Sequence, residues 1–506
     1  MDLILTFLFP PPASFSLLFL STMHCSHGIS DIDNDAIAAN RIMEEQVDIE
    51  NNEKARPASP VFDDEVGKIS ETERAIYEHG TQKFSRLGWK RLTIVLIVEA
   101  VALGCLSIPS TFATLGMVPG VLCCVGIGFI SIYTSYVIGQ MKLKFPHIAH
   151  YGDAGQLMMG RFGYELLGAM LLLQLLLMVS SHTITGTIAF TTITKSNICS
   201  ILFAVVSAII LFLLAVPPSF SEMAILGYVD FASILTAVGI TIIATGVQRS
   251  EQPGGLSSVN WSAWPKEGVT FTEGFVSVGN IIFAYTFAMC QFSFMDEMHT
   301  PKDYVKSIWA LGLTEMFIYT VTGALVYRFV GQDVENPALS SAGELVSRIA
   351  YGVALPVIFI SGSINSVVAG RLIHGRIFKH STLRFVNTPM GWVTWLMVIA
   401  AFTVLAWVIA EVIPFFTNLL SLSSSLFVSG LTFYFPPIMW FMFIRSGKWT
   451  SPKNLVLAAL NAGCLIVGLV VLGGGTYASV NDIVSLASTT LWACFLCLLA
   501  YLPYLQ

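Results

Sequence analysis

Gly104-Cys105-Leu106-Ser107-Ile108-Pro109-Ser110-Thr111 interrupts an otherwise continuous apolar run over residues 92–115. Pro109 has no N–H to bond back to the Cys105 carbonyl, and Gly104 supplies backbone freedom at the same turn. Ser107, Ser110 and Thr111 set hydroxyls beside that turn. A membrane anchor can be built from unbroken helices, whereas a transporter needs backbone groups freed near the middle of the bilayer to hold a polar solute. The stretch therefore reads in two ways: an opened helix facing a solute, or a proline kink whose hydroxyls bond back to their own helix. Both stay open from this span alone, because Pro and Gly are common in membrane helices.

Outward from that stretch the pattern repeats. Apolar runs of bilayer-crossing length, about 20 residues, follow at 118–141, 166–190, 198–216, 224–247, 272–294, 307–330, 349–373, 391–412, 415–442 and 454–475, eleven with the first. The runs lack the alternation of a membrane barrel, and lipid offers no partner for an unpaired backbone group, so they must be helices. Composition agrees: 55% of the 506 residues are hydrophobic and 11% charged, too few ionised groups to cover a water-facing surface. The fold class is an all-α integral membrane protein. A formal charge of -6 gives no basic excess for nucleic acid. The nine cysteines lie mostly inside apolar runs, and Cys494/Cys497 is a lone CxxC, so they read as small core residues and not as metal ligands or a disulfide framework.

The ends differ from the middle. From Asp31 to Glu78 there are 14 acidic and five basic residues; residues 1–87 read as a solvated acidic tail that cannot bury enough apolar surface to order itself. Residues 3–20 are apolar but are cut by Pro10-Pro11-Pro12, and Asp2 stands where a signal peptide is basic, with Met23 an alternative start. Residues 484–506 form an apolar extension long enough for a twelfth span, without flanking Lys or Arg. The transport domain is assigned to 88–483. Lys and Arg crowd one set of short loops, among them Lys90, Arg91, Lys142, Lys144, Lys302, Lys306, Arg376 and Lys379, against Lys195, Arg249, Lys266, Arg328 and Arg348 on the other. That bias puts the N-terminus in the cytoplasm and the sequon Asn260-Trp261-Ser262 outside.

Ionisable residues within spans are costly and usually face the bundle interior or a water path. Glu99, five residues before Gly104, reads as a proton or cation relay; Asp230 and Glu315, within several residues of span ends, read as packing carboxyls. His182 in the third span suits proton sensing near neutral pH, although a lone histidine is more commonly a helix contact. Ser361-Gly362-Ser363 and Asn365-Ser366 suit close packing or ion coordination. In the sixth span no glycine or proline lies between Phe283 and Gln291, so the residues by themselves predict an unbroken helix.

Five blocks then carry a resemblance: GCLSIPSTFATLGMVPG (104–120), NIIFAY with FMDEMHTPKDY (280–304), YRFVGQDVENPAL (327–339), AYGVALPVIFISGSIN (350–365) and AEVIPFFTNLLSLSSSLF (410–427). In order, from Gly88 to Ile483, they resemble the amino acid/auxin permease family in its fungal branch of neutral amino acid permeases. The resemblance implies eleven helices in a five-plus-five inverted repeat, with helices 1 and 6 discontinuous, and amino acid transport commonly coupled to protons. It places the substrate at Gly104, Ser107, Ile108 and Pro109 of the first helix and at Phe283, Ala284 and Tyr285 of the sixth. Glu99 and His182 match recurrent positions and are the candidates for proton coupling. Where relatives carry a Gly-His pair after Phe-Ala-Tyr, this chain has Phe287-Ala288.

The expected function is a symporter of amino acids, neutral ones foremost, with protons ahead of Na⁺, the lipid bilayer as surroundings and the plasma membrane ahead of the vacuolar one. No cofactor is expected. The alternative is a non-transporting amino acid receptor on the same scaffold. A membrane enzyme would need a polar cluster at one face, such as paired aspartates or HExxH, and neither occurs in the apolar runs or the short loops between them.

Overall fold

The computed structural model describes residues 88–486, apart from 197, 219, 297, 379, 380, 382–385, 387 and 414, and apart from the side chains of 95, 98, 99, 102, 103 and 220–225. The acidic tail, the 3–20 run, Cys494/Cys497 and nearly all of the apolar extension lie outside the described residues. Those described are helical, with no β-strand among them.

Each predicted span has a helix. They are α1 (Trp89–Leu115), α2 (Met117–Lys144), α3 (Tyr151–Thr194), α4 (Ser200–Leu214) and α5 (Phe220–Glu251). The sixth span is two helices, α6 (Phe271–Ala284) and α7 (Gln291–Asp296), joined by a 3₁₀ turn. Then come α8 (Tyr304–Val330), α9 (Glu344–Ile377), α10 (Pro389–Val412), α11 (Phe416–Ile444) and α12 (Pro452–Leu486). Local chemistry sets several starts. The Thr270 hydroxyl accepts from the Glu273 N–H at 3.2 Å while Glu273 accepts from the Thr270 N–H at 3.0 Å, a reciprocal cap for α6. Asp153 likewise accepts the Ala149 and His150 amides at the start of α3. α3 kinks at Gly160 (φ 65°) before its apolar part begins.

The packing maps onto itself when spans one to five are exchanged for six to ten. α1 lies on α8 as α6 lies on α2, and α1 on α5 as α6 on α11. α3 meets α4 and α10 as α9 meets α10 and α4, and α9 meets α5 as α3 meets α11. α3 on α9 and α2 on α8 map onto themselves. Counterparts are five crossings apart, an odd number, so they run in opposite directions; the repeat is inverted, as the resemblance implied.

The expected discontinuity is found in one of the two helices. α1 runs unbroken from Trp89 to Leu115 with Pro109 inside it. Its hydroxyls satisfy themselves locally: Ser107 donates to the Gly104 carbonyl at 3.0 Å, Ser110 to Ser107 at 2.8 Å and Thr111 to Ile108 at 2.7 Å. The reading with hydroxyls bonded back to their own helix therefore holds here over the opened-helix reading, since such hydroxyls support the turn from which proline removes an amide. The sixth span does the reverse. It breaks after Ala284 and bends by 46°, with no glycine or proline to signal it.

Both ends of the broken span are tied down. Beyond α7, Lys142 of α2 is buried and donates to the carbonyls of Pro146 (2.9 Å) and Ile148 (2.5 Å) and to Asp296 (2.7 Å). One turn earlier Ser293 pairs with His150 at 2.9 Å. At the opposite end the loop before α6 lies over the α1–α2 turn, where Met117 and Val118 donate to the Ser262 and Ala263 carbonyls at 3.0 and 2.9 Å. Gly116 (φ 84°) makes that approach, since a Cβ there would stand 2.4 Å from the Trp264 carbonyl carbon.

Candidate functional site

The break in the sixth span meets α1 at Gly104. A Cβ at Gly104 would lie 2.8 Å from the Ala284 Cβ and 2.9 Å from its Cα, so the two backbones touch and only glycine fits. The chain leaves α6 at Tyr285 (φ -102°, ψ 41°), whose N–H donates to the Ile282 carbonyl at 3.1 Å, and tightens into 3₁₀ geometry over Thr286–Cys290. This frees helix-end carbonyls in the interior of the bundle.

One of those carbonyls has a specific partner. The hydroxyl of Tyr319, from α8, lies 3.0 Å from the Ala284 oxygen and 2.8 Å from the Ala100 oxygen of α1. A phenol has one hydrogen to give, so a single donor serves two acceptors. Tyr285 packs edge-on to Tyr319, with ring centres 5.2 Å apart, and its ring lies where a Cβ on Gly128 of α2 would be 3.2 Å away. The Tyr285 hydroxyl is buried without a hydrogen-bond partner. So are Asn280 Oδ1 in α6, Asn365 Oδ1 in α9, Gln174 Nε2 in α3, and Ser425 Oγ in α11. Buried polar atoms in native proteins are usually paired; here they sit on elements that pack directly against one another, α6 and α3 on α11, α3 on α9.

The predicted residues divide accordingly. Gly104, Ala284 and Tyr285 come together at the crossing. Phe283 is buried in the last turn of α6. Ile108 turns toward α8, 2.7 Å from where a Gly323 Cβ would be. Ser107 and Pro109 are buried in an intact helix, the Ser107 hydroxyl spent on Gly104. His182 stands apart in α3, its ring against Gly362 of α9. Glu99 lies in α1, and its side chain is outside the described residues. Phe287 and Ala288 are wholly buried in the 3₁₀ turn. Tyr319 and Gly128 were not singled out from the sequence; a tyrosine and a glycine in apolar runs read as ordinary packing.

Two inverted five-helix halves with a broken sixth span packed on the first define the inverted-repeat transporter fold. The chain is similar to the solved structure of Mhp1, a nucleobase-cation-symport-1 family transporter in a closed conformation with bromovinylhydantoin bound, with a TM-score of 0.50 and 14% identity over 80% of this chain and 94% of that one. In sequence it is 59% identical to the "N amino acid transport system protein" of Neurospora crassa, over 80% of this chain and 87% of the relative. It is 23% identical to "Amino acid permease 1" of Arabidopsis thaliana, over 82% and 93%. Residues 85–481 match the family described as "Transmembrane amino acid transporter protein". The chain belongs to that family.

Proposed function

We propose that the protein is a secondary active transporter that moves amino acids, neutral ones foremost, across the plasma membrane by alternating access, coupled to protons. The observation that carries this reading is the α1–α6 crossing, where a helix-end carbonyl at Ala284 lies in the bundle interior, held by a borrowed hydroxyl. An amino acid's ammonium is a better donor to that carbonyl than a phenol, since charged donors make the stronger hydrogen bonds. Helix C-termini carry partial negative charge and suit a cation; helix N-termini suit an anion. The Tyr319 hydroxyl stands in for the ammonium and yields to it, and carbonyls at Phe283–Tyr285 complete that subsite. The substrate carboxylate takes amides freed when α1 loosens about Pro109, where the Cys105 carbonyl already has no helical donor. The α1 amides are helix-bonded in this conformation, so the carboxylate subsite forms only as the substrate enters.

In this reading the N-terminus is cytoplasmic, Lys142–Asp296 closes the inner end, and Glu99 and His182 are available to the coupling proton, with Na⁺ the less favoured ion. Purified protein in proteoliposomes with an inward proton gradient should accumulate labelled neutral amino acids, and a protonophore should abolish the accumulation. Binding without uptake would instead support the receptor reading, for which the bulky Phe287 at the break is the specific argument.

A further inference from the structure

Asp230 is a buried titratable group outside the crossing. It is fully buried in α5, with 0% of its surface exposed, and neither carboxyl oxygen has a hydrogen-bond partner. It sits four residues past the start of the apolar span of α5 (Leu226–Glu251), about one helical turn in.

Its position in the packing is as telling as its isolation. α5 packs against α1, α8 and α9. It is pinned to α9 one turn beyond Asp230 by the Ser233 hydroxyl, which donates to the Val353 carbonyl at 2.5 Å. Three residues past Val353, Pro356 leaves α9 without one main-chain hydrogen bond. The same face of α5 continues as Ile234, Ala237 and Thr241, all buried. Asp230 thus lies in a seam between the helices that carry the α1–α6 crossing and α9. Alternating access works by rocking one group of helices against another, so a seam of this kind opens toward each side in turn.

Other charges do not answer Asp230. α9 has none between Arg348 and Arg371. Glu315 of α8 has interactions of its own. α1 supplies Glu99 and no cation at this depth, and the short turns packed on α5, Gly255–Ser258 and Ala338–Ala342, carry no charge. A lone carboxylate in such surroundings is very costly.

We infer that Asp230 is a further, required station for the coupling proton beside Glu99 and His182, binding it where the seam opens to one side of the membrane and releasing it where the seam opens to the other. This rests on the transport reading above. One proton joins a carboxylate oxygen as the solute is loaded, stays there while the seam is closed, and leaves when water on the far side can solvate the carboxylate.

Asp230→Asn keeps the shape of the protonated acid but has no proton to exchange. In proteoliposomes D230N should lose accumulation above equilibrium under a proton gradient while keeping one-for-one counterflow of labelled against unlabelled amino acid. Accumulation by D230N equal to that of the parent, still abolished by a protonophore, overturns the assignment and leaves the transport reading standing. A parent chain with neither accumulation nor counterflow overturns both. Should D230N fail to purify as a monodisperse species, Asp230→Glu carries the test. It should accumulate substrate with a displaced pH profile, and an undisplaced profile overturns the inference.

Discussion

At Gly104 a single hydrogen separates a helix crossing from a collision. Gly104→Ala puts a methyl group 2.8 Å from the Ala284 Cβ, and overpacking of that kind costs about 1–3 kcal/mol. The expected result is a lower thermal midpoint and strongly reduced uptake, measured side by side on purified protein. Tyr319→Phe removes the hydroxyl shared by Ala100 and Ala284. Its cost to stability should be about 1 kcal/mol, the net worth of one such bond, and amino acid binding should survive if the ammonium replaces that donor. Loss of binding in a folded Y319F protein would show that the hydroxyl is part of the binding site. The sequence singled out Gly104 for a property other than the one the fold uses. It was read as a source of backbone freedom, and in the fold it gives room for another chain segment, which depends on residues 180 positions away. Tyr319 had no sequence signal at all, because its role lies in two main-chain carbonyls that no side-chain pattern reports.

Among the elements, helix existence was legible and helix integrity was not. The eleven apolar runs have the lengths lipid demands, and each became a helix. Yet the span with proline and glycine stayed whole, and the span without either broke. Local propensity favours a break in α1, but back-bonded hydroxyls absorb it; α6 ends where Gly104 lets α1 press on Ala284 and the Tyr319 hydroxyl donates to the freed carbonyl. Only the family resemblance pointed to the sixth-span break. The end of that span beyond the break is a separable device. Asp296→Asn removes the counter-charge of the buried Lys142 and should loosen α7 from α2. A cysteine placed at Ser293 should then react faster with a membrane-impermeant thiol reagent in the D296N background than in the parent; equal rates would show that this ion pair does not hold the end closed.

For the whole molecule, the self-mapping of the packing ties the fold to the mechanism. Two inverted halves have two nearly equivalent ways to pack, and a solute held where they cross can be exposed first to one side and then to the other. The lengths of the apolar runs carried the spans, and the family resemblance alone implied that they form inverted halves. The seam around Asp230 was hidden, because a carboxylate near a predicted span end looks like a packing group until its surroundings are known. The most direct test of the account is counterflow of a labelled neutral amino acid in proteoliposomes, with the parent chain and Gly104→Val compared at equal protein and confirmed folding. The account predicts rapid exchange by the parent, suppressed by excess unlabelled amino acid, and none by the variant. Exchange by the variant at the parent's rate would mean that the solute does not pass through the α1–α6 crossing.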